Sequence, residues 1–304
     1  MKKTIPFLQK GDLIEIIAPA KRIEEEHVLY AKMVIEQNGF QVKISEHCLG
    51  QYNYFSGTLS ERIDDLQSSL DDPNVKAILC ARGGYGSIQV IDKIDWSSFQ
   101  SNPKWIIGFS DVTVFHQKLQ HDGYSSLHAT MPLNFRDNSK EAINSLFQSL
   151  LGKKYSVCSP ASEYNQFGQT EGKIIGGNLS ILYSLLGTDN QPDYTNVVLY
   201  IEDLAEHIYH IDRMFYAFKK AGVLEKLNGL AVGGMTDIKD TQIPYGCTYQ
   251  EVILSHFKDR NIPICFDLPA GHIDDNQAIT LGERVSFGVT EKGGVIEFTE
   301  QRSS

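Results

Sequence analysis

Cysteine is scarce in this chain and poorly placed for metal or redox chemistry. The five residues Cys48, Cys80, Cys158, Cys247 and Cys265 are scattered, odd in number and never form a C-x-x-C pair. That argues against a zinc site or a disulfide framework and for reduced, mostly packed thiols. Positive charge is also short: 28 Lys and Arg against 38 Asp and Glu leave a formal net charge of -10. Such a chain repels phosphate backbones and anionic bilayers, so neither nucleic acid nor membrane is an expected partner. No apolar run approaches the roughly 20 residues of a membrane helix. The basic start Met1-Lys2-Lys3-Thr4 is followed by Gln9, Lys10, Gly11 and Asp12, which break the apolar stretch a leader needs. A cytoplasmic location is therefore expected. Neither Pro nor Gly is in excess, and there is no internal repeat or low-complexity segment, which excludes fibrous, solenoid and disordered classes.

What remains is an ordinary globular composition, 41% hydrophobic and 22% charged over 304 residues, long enough for one large or two moderate domains. The first half alternates strand-like and helix-like segments. Asp12–Pro19 reads as a strand. Glu24–Asn38 repeats apolar residues at helical spacing and stops before Gly39. Phe40–Ile44 reads as a short strand, and Ser60–Leu70 as a helix carrying Ile63, Leu66 and Leu70 on one face. Two further apolar runs, Lys76–Ala81 and Trp105–Phe109, are each followed by a small-residue loop: Arg82-Gly83-Gly84-Tyr85-Gly86 and Ser110-Asp111. Strands alternating with helices imply an α/β fold with a parallel sheet, and ligands in such sheets gather at the carboxyl ends of the strands. Both loops should line one crevice. From 153 to 170 the pattern weakens into Ser, Gln, Asn and Gly, and this stretch reads as a linker between domains at 1–152 and 171–304. The second half offers Gly176-Gly177-Asn178 before a helix at Ile181–Leu186, a strand Val197–Ile201, a helix Ile211–Ala221 and a strand Gly229–Val232. A helix Tyr249–Phe257 and β-rich pieces around Ile264, Ala278 and Val285 follow.

Ser110 stands between an apolar run and a helical pattern, where a sharp turn would expose its hydroxyl and aim the next backbone N–H groups at one point, near the positive end of a helix dipole. The stretch Gly108-Phe109-Ser110-Asp111 lacks the second glycine of a G-x-S-x-G elbow, and a helix-capping Ser is the plain alternative. The Arg82–Gly86 loop can bring backbone amides close to a ligand. An amide there, with the Asp111 amide, could form an oxyanion hole, in which each donor is worth about 3–4 kcal/mol. The plain alternative is a tight turn; the spacing matches neither dinucleotide nor P-loop signatures. Glu202 closes the run Val197–Ile201, where a carboxylate can orient a histidine, although a loop acid is usually only solvated. His207, His210 and Asp212 share a helical stretch but lack a further ligand set, so no metal is expected. His272 follows the β-run Ile264–Leu268 within Pro269-Ala270-Gly271-His272. The order nucleophile, acid, base is that of one known triad class, and the separations of 92 and 70 residues leave it to the fold to bring the three together.

On these segments the sequence resembles the murein tetrapeptide LD-carboxypeptidase family of serine peptidases, which also contains microcin C immunity peptidases. The resemblance is carried by Ala81–Gly86, Gly108–Asp111, Gly176–Asn178, Ile201–Asp203, Tyr209–Arg213, Gly271-His272 and Leu281-Gly282, in the family's order. It implies an N-terminal α/β domain bearing the nucleophile Ser110 and a C-terminal domain rich in β-structure bearing the acid Glu202 and the base His272. It also implies oxyanion donors at the Gly84 and Asp111 amides, no metal or other cofactor, and a homodimer. The implied reaction is release of a terminal D-alanine from a murein tetrapeptide, a small-peptide substrate of cell-wall recycling. Arg82 is the candidate for the substrate's terminal carboxylate; packing against its own turn, or pairing with an acid such as Asp111, is its plain alternative. Two other readings stay open: an immunity-type peptidase acting on a peptidyl or aminoacyl nucleotide, for which Tyr245 is the one aromatic in Gly234–Cys247, and a peptide-binding module without turnover.

Overall fold

The computed structural model describes residues 5–298; the basic start Met1-Lys2-Lys3-Thr4 lies outside them. The chain runs β1 (Leu13–Ile17), α1 (Glu25–Gln37), β2 (Gln41–Ile44), α2 (Leu59–Asp71), β3 (Val75–Cys80), the short α3 (Ser87–Val90) and α4 (Ser97–Ser101), β4 (Trp105–Gly108), α5 (Thr113–His121), β5 (Ser126–His128) and α6 (Lys140–Leu150). It continues with β6 (Tyr155–Cys158), β7 (Gly168–Asn178), α7 (Leu179–Ser184), β8 (Val197–Leu204), α8 (Ile208–Lys220), β9 (Gly229–Thr236), α9 (Tyr249–Ser255), β10 (Ile264–Cys265), β11 (Ile279–Leu281), β12 (Arg284–Thr290) and β13 (Gly293–Phe298). Among the described residues no helix is long and apolar enough to cross a membrane.

Two sheets result. The first has the order β11-β5-β4-β3-β1-β2 and is parallel except for β11, which pairs antiparallel with β5. The second has the order β10-β9-β8-β7-β12-β13-β6, parallel from β10 to β7 and antiparallel from β7 to β6. The architecture is thus mixed α/β, with a mostly parallel N-terminal sheet. β1, β3 and β4 read as near-continuous apolar runs because helices cover both faces of a parallel sheet. β12 instead alternates buried and less buried residues, as a sheet with one wetter face does.

Two features depart from the sequence expectation. The stretch 153–170 expected as a linker carries β6, which pairs with β13 from Val295↔Cys158 to Phe298↔Tyr155 and so is the edge of the second sheet. After His272 the chain returns to the first sheet as β11, pairing Ile279 with His128 and Leu281 with Ser126. The second half therefore contributes a strand to the first half's sheet.

The two sheets are held in register by α5, a helix buried on almost every side. Its residues Thr113, Gln117 and Gln120, spaced to share one helix face, bind the end of β7. Gln117 Nε2 donates to the Gly176 carbonyl at 3.1 Å, Gly176 N donates to Gln120 Oε1 at 3.2 Å, and Asn178 N donates to Thr113 Oγ1 at 3.0 Å. The approach needs glycine. A Cβ at Gly177, where φ is +138°, would lie 2.6 Å from Thr113 Oγ1. Gly177→Ala is expected to cost about 1–3 kcal/mol, the range for a residue held in a disfavoured backbone region, with the clash added. A denaturation midpoint equal to wild type would refute this account of how the two sheets dock.

Candidate active site

β4 ends at Gly108 and α5 begins at Thr113, so Ser110 occupies the tight turn between them. Its φ is +62°, a left-handed conformation that a side chain other than glycine adopts at a cost. Three contacts hold the turn. Gly108 leaves room for Val112, whose Cγ2 would lie 2.9 Å from a Cβ at that position. Asp111 is buried, and its Oδ2 accepts from Ser87 N at 2.9 Å, tying the turn to the start of α3 just past the glycine loop. Arg62, also buried, braces that loop by donating Nη1 to the Pro19 and Gly86 carbonyls at 3.0 and 3.3 Å and Nη2 to Gln89 Oε1 at 2.8 Å. Burial raises the Asp111 carboxyl above the usual range, against the pull of the Ser87 bonds and the Arg62 charge.

Gly83 lies against the Ser110 turn. A Cβ there would sit 3.1 Å from Ser110 Cβ, 3.2 Å from the Asp111 nitrogen and 3.3 Å from Ser110 Oγ. A side chain at 83 would crowd both the Ser110 hydroxyl and the Asp111 nitrogen. Sequence reasoning singled out the next residue, Gly84, as an amide donor; the steric need for glycine at 83 was missed, although the paired glycines were its signal.

β8 supplies the acid. Its side chains alternate, so Val198 and Tyr200 join one apolar cluster while Val197, Leu199 and Ile201 join the cluster under the helices. Glu202 continues the first set and Asp203 the second. Glu202 is fully buried, and its Oε2 lies 2.5 Å from His272 Nδ1. Asp203 points the other way, where Asn178 Nδ2, Ser180 N and Leu204 N each donate to it at 2.9 Å. Burial, then the neighbouring Glu202 charge, raises the Asp203 carboxyl to about 7. Asn178 pairs with Glu202 in the β7–β8 register and also caps α7 by accepting from Ile181 N. Its bridging role was not legible beforehand beyond its place in Gly176-Gly177-Asn178.

His272 is half-buried on the loop after β10. Its Nε2 is 3.2 Å from Ser110 Oγ, and its ring packs edge-on to Phe109 at 4.9 Å between centroids. Three anchors hold the loop. Gly271 N donates to Asn276 Oδ1 at 2.7 Å, Thr236 Oγ1 donates to the His272 carbonyl at 2.7 Å, and Ser139 N donates to the Asp274 carbonyl at 2.8 Å. Gly271, with φ of +109°, admits the acid: a Cβ would lie 2.7 Å from Glu202 Cβ. Burial lowers the His272 pKa, but the Glu202 charge and hydrogen bond, with Asp203 behind them, outweigh it and leave the imidazole above its usual range. In the neutral imidazole tautomer whose Nδ1 donates to the Glu202 carboxylate, Nε2 presents a lone pair to Ser110.

The fold therefore brings Ser110, Glu202 and His272 into one continuous contact chain. Arg82 turns aside and donates Nη1 to the Arg22 carbonyl at 3.1 Å. His210 pairs with Glu206, and Asp212 accepts from Tyr245 Oη and pairs with His256, so these α8 groups serve local contacts.

Residues 14–129 match the LD-carboxypeptidase N-terminal domain and residues 171–287 the LD-carboxypeptidase C-terminal domain. A Bacillus subtilis (strain 168) protein named "Probable murein peptide carboxypeptidase" is 31% identical over 95% of this chain and 93% of its own. The crystal structure of muramoyltetrapeptide carboxypeptidase from Oxalobacter formigenes superposes with a TM-score of 0.85 at 26% identity, covering 94% of this chain and 98% of that one. The microcin C7 self immunity protein MccF, in complex with aspartyl sulfamoyl adenosine, superposes with a TM-score of 0.86 over 98% of each chain. At 21% identity that likeness speaks for the fold alone.

An NMR titration tests the electrostatics directly. His272 is expected to titrate above 6.5 in the wild type. In Glu202→Gln it should titrate lower, because the main raising influence is gone while burial remains. Equal values in the two proteins would overturn the role given to Glu202.

Proposed function

The chain belongs to the LD-carboxypeptidase family, and from that premise we propose that it is a serine-type LD-carboxypeptidase releasing the terminal D-alanine of murein tetrapeptides. The observation that carries the proposal is the contact chain from Glu202 through His272 to a Ser110 held in a left-handed turn. In this reading His272 Nε2 removes the Ser110 proton as Oγ attacks the carbonyl that precedes D-alanine. The negative charge on the carbonyl oxygen is received by the Asp111 and Gly84 amides, in the space that Gly83 leaves open. The imidazolium, stabilised by the buried Glu202, then protonates the leaving amine. Water enters, gives a proton to the same nitrogen and attacks the acyl-Ser110 ester, and His272 returns that proton to Ser110 Oγ as the shortened peptide leaves. Action on wall fragments inside the cytoplasm, by a homodimer, belongs to the same proposal.

A second reading, an immunity-type peptidase cleaving an aminoacyl nucleotide, draws support from the fold likeness to MccF. It needs an aromatic ring free to stack on a base. Tyr245 is 39% exposed, but its hydroxyl donates to Asp212 Oδ2 at 2.6 Å, which commits the side chain to α8.

Mass spectrometry of a tetrapeptide digest decides between them. Wild type is expected to release D-alanine and Ser110→Ala to lose about 10⁴-fold or more in kcat, as nucleophile removal does elsewhere. Gly83→Ala should lose about 10²–10³-fold, the scale of one lost oxyanion donor. The kcat/KM profile should fall on the acid side through a pKa above 6.5, because protonated His272 cannot act as base. Cleavage of an aminoacyl nucleotide but not of the tetrapeptide would reverse the order of the two readings.

A further inference from the structure

A carboxypeptidase must recognise a free carboxylate one residue, about 3.8 Å in Cα spacing, beyond the bond it cuts. Arg82 was the cation expected from the sequence, yet one arm of its guanidinium is engaged by the Arg22 carbonyl. A better-placed cation is Lys21. Its backbone N donates to the Gly83 carbonyl at 3.4 Å, so it runs beside the glycine loop. Its stem crosses Gly84: a Cβ on that glycine would lie 3.0 Å from Lys21 Cβ and 3.3 Å from Lys21 Cδ. The same point lies 2.8 Å from the Tyr54 hydroxyl, and Lys21 Nζ stands 4.9 Å from the centre of the Tyr54 ring. Gly83, the adjacent residue, is the one whose Cβ would sit 3.3 Å from Ser110 Oγ.

An ammonium and a phenol hydroxyl thus flank the loop that borders the nucleophile. A surface lysine ordinarily extends into water and needs no partner. Lys21 differs in that its stem is laid along Gly84 and its head is held over an aromatic face. Among the described residues no carboxylate stands within ion-pair distance of it, although the chain carries a net charge of -10. Tyr54 is 41% exposed, so the pair is open to a ligand.

We propose that Lys21 Nζ, together with the Tyr54 hydroxyl, binds the terminal carboxylate of the leaving D-amino acid and so makes the enzyme an exopeptidase. This rests on the carboxypeptidase reading above. Charge-assisted bonds to a carboxylate are strong, and a substrate that ends in a neutral amide forfeits the ion pair with Lys21.

The test compares kcat/KM for a tetrapeptide ending in D-alanine with that for its C-terminal amide, using wild type, Lys21→Met, Tyr54→Phe and Arg82→Ala. Wild type is expected to prefer the free acid. Lys21→Met should lose about 10–100-fold on the acid, mostly in KM, which is the scale of one hydrogen bond to a charged group. Its loss on the amide should be much smaller, and a circular dichroism spectrum equal to wild type reports that the variant is folded. Tyr54→Phe should show a smaller loss of the same kind. The proposal is overturned if Lys21→Met keeps the wild-type preference for acid over amide, or if Arg82→Ala alone erases it; D-alanine release would still uphold the carboxypeptidase reading. If wild type cleaves neither peptide, that reading fails, and calorimetry on Ser110→Ala separates the two questions. Tighter binding of the acid than the amide, abolished by Lys21→Met, supports the carboxylate site, and equal binding overturns it.

Discussion

The approach of α5 to the bare end of β7 is the contact on which the site depends. Ser110 precedes α5 and Glu202 sits on β8, one strand from β7, so the distance between them is set by how α5 seats on that edge. Gly176 offers only its backbone there, and Gly177 has no side chain to hold the helix off. Thr113, Gln117 and Gln120 then satisfy the backbone groups that the missing side chains leave exposed to the helix. Buried N–H and C=O groups are costly to leave unpaired, so the register is specified by hydrogen bonding as well as by shape. The return of β11 to the first sheet, with Ser139 anchoring the loop before it, fixes the third partner from the opposite side.

Electrostatics follow from that packing. A carboxylate with no solvent exposure is tolerable only with a partner, and His272 supplies it for Glu202 at 2.5 Å. Asp203 is buried one residue on, and two adjacent buried acids would repel strongly on one face. Strand alternation sends them to opposite sides, and three donors meet Asp203 where it lands. The strain in the Ser110 turn, of order 1–3 kcal/mol for a non-glycine residue at positive φ, is likewise held by surroundings. Asp111 fastens the turn to α3, and Val112 packs where Gly108 has no side chain.

Much of this was legible in the sequence, and the rest for physical reasons was not. The alternation of apolar runs and helical spacing gave the strands β1, β3, β4, β8 and β9 and the helices α1, α2, α8 and α9, because those elements bury a periodic face. The strand within 153–170 was obscured because β6 is an edge strand with just Val157 of its four residues buried, so it carries almost no apolar signal. β11 was visible only as a β-rich piece; that it crosses to the other sheet is a tertiary fact with no local trace. Ser110, Glu202 and His272 could be nominated by residue type and by resemblance, but their contact spans 92 and 70 residues and is made by the docking of α5. Lys21 and Tyr54 escaped notice because nothing in their neighbourhoods departs from ordinary surface sequence.

That last difference separates two kinds of residue in this fold. Ser110, Glu202 and His272 stand at strand ends or on anchored turns, where glycines and buried hydrogen bonds leave little freedom. The groups that could recognise a substrate, Lys21, Tyr54 and Tyr85, stand on the loops after β1, before α2 and after β3, and the two tyrosines are 41% and 50% exposed. Changing such a loop residue alters what is held beside Ser110 without disturbing α5, β7 or the Glu202–His272 pair. A scaffold built this way can keep one hydrolytic centre while its loops change substrate. A muramoyltetrapeptide carboxypeptidase and MccF share this fold alike, at TM-scores of 0.85 and 0.86. Fold likeness therefore does not select a substrate class, and in the reading proposed above the charged and aromatic groups around Gly84 do.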